Sequence, residues 1–202
     1  MSTDRLLLGG CGILRKEVQW LIARHGWPVD TLFLDSALHC DLERLGKGLA
    51  GTLERRRQSP VVVFYGACHP HMDQMLDATG TLRTEGQNCV EMLLGHERFT
   101  QELVEGAYFL LEEWAHRWFA ITYRTFGTNP DVIRGIFQGD RRYLLGLRTP
   151  CSGDFAREAE AAADLVGLPL RWLDVPLDHL DAVLSDAIAR KRGALDAAGL
   201  TP

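Results

Sequence analysis

The chain has 202 residues, 46% of them hydrophobic and 24% charged, and a formal net charge of -5. That composition fits a single globular domain over residues 1–202 and excludes a disordered or fibrous chain. The acidic balance gives no footing for nucleic acid, which needs clustered positive charge, and no apolar stretch is long enough to span a bilayer.

Arg5 to Gly10 reads as a short buried strand. Leu8-Gly9-Gly10-Cys11 resembles a lipoprotein cleavage site, but the apolar run before it is too short and Asp4 precedes it. A helix is expected from Ile13 to His25, stopped by Gly26 and Pro28. Val29 to Leu34 is the second strand, and Leu42, Leu45, Leu49 and Leu53 mark the next helix. The basic run Arg55-Arg56-Arg57 is expected to cap and solvate that helix end. Val61 to Tyr65 is apolar throughout, as in a strand covered on both faces. Met72 to Leu76 suggests a short helix, and Gly80 to Gly86 a short strand or loop. One helix is expected to begin near Asn88 and run through Leu103. Ala107 to Leu111 fits either a strand or an extension of the helix that follows.

A helix around Ile133 to Phe137 precedes a strand from Arg142 to Leu147. A helix carrying Phe155 to Val166, a strand from Pro169 to Val175 and a helix carrying Leu180 to Ala187 complete the chain. Alternating strands and helices predict an α/β fold, Rossmann-like, with a mostly parallel sheet and helices on both faces. Two loosely similar βαβ halves fit the same pattern.

The five cysteines are dispersed, which argues for reduced thiols and a cytoplasmic protein. Cys11 follows the first strand, Cys68 the third and Cys151 a later one, while His39 lies beyond the second. In one parallel sheet these positions share the carboxyl edge, where α/β folds bind ligands. Cys89 is placed at a helix start, which favours thiolate. Thiolates with imidazole suit zinc or an iron–sulfur cluster, so Cys11, His39, Cys68, Cys89 and Cys151 are the candidate metal ligands. No Cys-x-x-Cys pair accompanies them. Cys40 reads as a packing residue.

Gly10 and Gly12 would let a ligand approach Cys11, and His69-Pro70-His71 offers a His-x-His pair as cofactor contacts. Glu17 and Asp35 are candidates to orient a histidine or act as bases. The aromatics Trp114, Trp118, Phe119 and Tyr123 read as a packed helix face, and His25, His96, His116 and His179 as structural.

The order of these signals resembles the domain of unknown function 1638 family over nearly the whole chain. It is carried by Cys11-Gly12-Ile13-Leu14 with Glu17, Leu38-His39, Tyr65-Gly66-Ala67-Cys68, and Asn88-Cys89 followed by Leu93-Leu94-Gly95. Two departures stand out. His69-Pro70-His71 replaces a glycine, and Arg83 to Cys89 lacks the proline and histidine of the corresponding segment. The resemblance implies an association with corrinoid-dependent methyl-transfer systems and assigns no reaction.

The leading expectation is a metal-binding protein with a cysteine-rich site, acting in thiol or methyl transfer or as an accessory, with corrinoid methyl-transfer proteins as partners. The residues leave catalytic and structural roles open. One rival is a metal-independent enzyme using Cys11 and Cys151 as racemases use paired thiols. Another is a corrinoid or tetrapyrrole module with His69 or His71 as axial ligand.

Overall fold

The computed structural model describes residues 5–55, 60–77 and 81–199, and only the backbone of His39. Arg56, Arg57 and Gly80 lie outside the described residues. In chain order the elements are β1 (Leu6–Cys11), α1 (Arg15–His25), β2 (Val29–Leu34), α2 (Leu42–Arg55), β3 (Val61–Phe64), α3 (Met72–Asp77), β4 (Leu82–Arg83) and α4 (Cys89–Leu94). There follow α5 (His96–Val104), β5 (Ala107–Leu110), α6 (Glu112–Phe126), α7 (Pro130–Asp140), β6 (Tyr143–Arg148), α8 (Ala156–Val166), β7 (Leu170–Asp174) and α9 (Asp178–Ala197).

The fold is α/β, with helices around parallel strands, but the strands form two sheets rather than the single one expected. The chain divides into two compact units, Met1–Leu93 with Asp178–Pro202, and Leu94–Leu177. Among the described residues no helix is long and apolar enough to cross a membrane.

The first unit orders its strands β2-β1-β3-β4, all parallel. Every residue of the central β1 is buried, as expected of a strand covered on both faces. Val18 and Leu21 of α1, Leu45, Leu49 and Leu53 of α2, and Leu180 and Leu184 of α9 are buried with it. Their three- and four-residue spacing puts each set on one helix face, and each such leucine contributes about 1.5–3 kcal/mol on burial. Helix α9 closes the unit by packing against β3 and β4.

The chain leaves β1 to one side to form β2, then crosses to the other side for β3. This reversal makes the carboxyl ends of β1 and β3 a topological switch point, the usual ligand position of an open α/β sheet. Gly10 lies in register with Phe64, and a Cβ on Gly10 would come within 2.6 Å of the Phe64 carbonyl oxygen. The two strands could not otherwise come so close.

The second unit orders its strands β5-β6-β7, with no reversal. Its core joins Leu110, Trp118, Ile133, Phe137, Leu144 and Phe155. Ala107–Leu110 is a strand, because Gly106 at φ 92 turns the chain out of α5. The single helix expected from Asn88 to Leu103 is two helices, broken at Gly95, whose φ of 81 is incompatible with a continuous helix.

Candidate functional site

Three of the proposed ligands, Cys11, Cys68 and Cys89, lie in the first unit. Cys11 is the last residue of β1, itself within the strand, and is buried. Cys68 lies four residues beyond Phe64, the last residue of β3, and Cys89 opens α4. The two latter segments are stitched backbone to backbone. The Ala67 amide donates to the Gln87 carbonyl at 2.8 Å, and a Cβ on Gly66 would lie 2.1 Å from that same oxygen. Only glycine permits this approach, so Gly66 is needed to carry Cys68 towards Cys89.

Local capping fixes Cys89 in turn. The Asn88 side-chain oxygen accepts from the Val90 and Glu91 amides at 3.0 Å, while the Glu91 carboxylate accepts from the Gln87 amide at 2.7 Å. This reciprocal arrangement satisfies amide groups that a helix start leaves unpaired.

Burial raises the Cys89 thiol well above its ordinary range, and Cys11 and Cys68 raise it further; the Cys89 and Val90 amides oppose this. Burial also raises the Cys68 thiol, against the pull of the Gly66 backbone hydrogen bond and the Arg83 guanidinium. Cys68 and Cys89 therefore hold their protons at neutral pH. Tyr65 is 3% exposed, and its hydroxyl is held firmly protonated, first by burial and then by Cys11, Cys68, Cys89 and Asp35.

Arg83 was not singled out in the sequence, because a lone arginine on a two-residue strand carries no motif. Its Nε donates to Asp73 at 3.1 Å and its Nη1 to the Gly86 carbonyl at 3.1 Å, tying together the segments that flank the thiols. Tyr65 enters the sequence reading only as a strand residue and as part of the Tyr65-Gly66-Ala67-Cys68 stretch that carries the resemblance. Its aromatic ring continues the apolar run, and nothing local distinguishes its hydroxyl.

The other candidates lie differently. Cys151 follows β6 and belongs to the second unit, so the expected single edge carrying Cys11, Cys68 and Cys151 is replaced by two. Its loop closes on itself: the Cys151 amide donates to the Thr149 hydroxyl at 3.2 Å, and the Thr149 amide to the Ser152 hydroxyl at 3.0 Å. Cys40 is exposed rather than packed, because it ends a short 3-10 turn. His39 belongs to that turn, and its side chain lies outside the described residues.

His69 accepts the His71 amide on Nδ1 at 3.0 Å, and its Nε2 lies 3.2 Å from where a Cβ on Gly46 would be. Its ring is thus engaged by its own loop and by α2. Gly12 makes room for the Leu34 carbonyl as Gly10 does for Phe64, so strand packing alone accounts for both glycines. Asp35 caps the 3-10 turn by accepting from the Ala37 amide at 2.9 Å, and Glu17 is buried in α1. His25 pairs with Asp181, His179 bonds the Met92 carbonyl, and His116 sits by Glu112 and Glu158. On α6 Trp118 is core, while Phe119 and Tyr123 are exposed. Among the described residues no group of three or more His, Cys, Asp and Glu side chains stands ready to hold a metal ion.

A family model described as "Protein of unknown function (DUF1638)" matches residues 33–184. No curated protein matches the chain.

Proposed function

Taking as premise that the chain belongs to the DUF1638 family, we propose that its first unit binds a soft metal, zinc or iron, through Cys11, Cys68 and Cys89. One observation carries this reading: Cys11 ends β1, Cys68 follows β3 and Cys89 opens α4, and the segments of the last two are joined by the Ala67 amide donating to the Gln87 carbonyl at 2.8 Å. Thiolate sulfur is the preferred donor for these metals. A metal would displace the protons that burial holds on Cys68 and Cys89, and the Gly66, Cys89 and Val90 amides would stabilise the charge left on sulfur. His39 is the remaining candidate donor in the unit. A shell with only three protein donors leaves a coordination position for an external ligand.

Elemental analysis and an absorption spectrum of anaerobically purified protein test the proposal. Stoichiometric zinc or iron is expected, lost on Cys11→Ser, Cys68→Ser or Cys89→Ser and kept on Cys40→Ser and Cys151→Ser. A folded protein without metal, unable to take up either ion, overturns it.

A further inference from the structure

The glycines of this chain divide by what surrounds them. Gly10, Gly66 and Gly146 stand where a Cβ would collide with a neighbour, and Gly95 and Gly106 carry a positive φ. Gly135 and Gly139 have neither reason. Both lie within α7, neither has a positive φ, and a Cβ on either would meet nothing within 4 Å. Glycine is the least favourable helix residue after proline, so nothing inside the chain calls for it at these two positions.

Both glycines share a helix face with Val132 and Ile136. Positions 132, 135, 136 and 139 form one exposed stripe at 3.6 residues per turn, on the side away from the buried Ile133 and Phe137. A surface helix normally turns charged or polar residues outward, whereas this one turns out two branched apolar side chains and two bare backbones. The neighbouring α6 continues the pattern with Phe119, Tyr123 and Phe126, and Phe126 meets Phe137 of α7 edge-on at 5.8 Å. These five large side chains are 36–49% exposed and together present about 400 Å² of apolar surface, the scale at which a patch marks an interaction site.

We propose that this face of α6 and α7 is a homodimer interface, in which two copies of α7 cross antiparallel about a two-fold axis between Gly135 and Ile136. One axis position serves the whole stripe. It sets Ile136 against Gly135 of the second copy and Val132 against Gly139 of the second copy, so each projecting side chain meets open backbone. A two-fold contact requires a surface complementary to itself, and this stripe has that property. Asp131 and Asp140 flank the stripe on opposite sides, so the axis sets no two carboxylates face to face. A stable interface takes about 800 Å² from each partner, with an apolar centre and a polar rim. The exposed apolar side chains form that centre, and the exposed Ala120, Arg124, Thr128 and Asp131 beside them in sequence extend it to a rim. The face lies wholly within the second unit, so the inference is independent of the metal reading.

Sedimentation equilibrium of the full chain tests it. Wild type should dimerise reversibly, and the double variant Gly135→Ala/Gly139→Ala should dimerise about tenfold more weakly or worse. At dilutions where both are monomeric, that variant should melt at or above wild type, because its new methyl groups meet only open space. Gly193→Ala, at an equally open helical glycine of the first unit, should leave association unchanged. Ile136→Lys and Ile136→Glu should each be monomeric, and their mixture should dimerise, because the axis brings the two side chains at this position together. A wild type that stays monomeric at its highest soluble concentration overturns the inference, and so does a dimer that these substitutions leave intact. Failure of the mixture to dimerise overturns the two-fold arrangement. Should either Ile136 variant not fold, the glycine pair decides alone.

Discussion

The two units share their local devices and differ in strand order. Each centres on a parallel strand whose glycine faces an aromatic residue of the neighbouring strand, Gly10 opposite Phe64 and Gly146 opposite Trp172. Each also carries a cross-strand ion pair, Arg5 with Asp30 and Arg148 with Asp174, both at 2.8 Å. The first unit reverses direction after β2 and the second does not. Cys11 ends and Cys68 follows the two strands that flank that reversal, whereas the single cysteine of the second unit sits in a loop closed by its own hydrogen bonds. Strand order, more than local sequence, decides which loop-borne side chains meet.

The glycines offer the largest test of the comparison. Gly66→Ala and Gly10→Ala force a Cβ against backbone carbonyl oxygens, which cannot move without displacing strands or loops. Each should destabilise the first unit by about 3 kcal/mol or more. Gly146→Ala meets ring carbons of Trp172 at 2.5 Å, and a tilting ring can relieve part of that, so about 1–2 kcal/mol is expected in the second unit. Residue-resolved hydrogen exchange would assign each loss to its unit. Equal losses at Gly66 and Gly146 would contradict the distinction between backbone and side-chain obstruction.

Titration should separate the units next. In the metal-free protein the Cys68 and Cys89 thiols have pKa values above those of the unfolded chain, so their contribution is fully present below the unfolded thiol pKa and lost as pH rises through the folded one. The first unit should lose on the order of 1 kcal/mol per pH unit per thiol above about pH 8.5. In the second unit the corresponding group is Tyr143, pushed up to about 12 by burial and by its bond to Glu102, so its loss should start only above pH 10.0. Denaturant unfolding across alkaline pH measures both. The Cys68→Ser/Cys89→Ser double variant should flatten the earlier decline alone.

The smallest effect belongs to the paired ions. Both pairs are exposed, so Asp30→Asn and Asp174→Asn should each cost about 0–1 kcal/mol, less at high salt. A larger loss at either position would mean that the pair fixes strand register and not merely surface charge.

Much of the fold was legible in the residues alone. The unbroken apolar runs of β1 and β3 and the leucine spacing of α2 depend on local periodicity, which survives without tertiary context. The helix start at Cys89 was legible for the same reason, through Asn88 beside it. Gly95 escaped because a single glycine within an apolar period reads equally as tolerated or as a break, and its φ is set by packing. Cys40 reads as a packing residue, yet a short 3-10 turn exposes it, and Cys151 does follow a strand as its position predicts, but of another sheet.

By itself, then, the order of residues determined that strands would alternate with helices, pair in parallel and deliver cysteines to strand and helix ends. The tertiary structure decided that there are two sheets, that Cys11, Cys68 and Cys89 belong to the first unit, and that the Tyr65 hydroxyl of that unit has no hydrogen-bond partner among the described residues. Local sequence encodes period and capping through neighbours a few residues away. Strand order and burial arise from contacts between segments dozens of residues apart, and no short pattern records those.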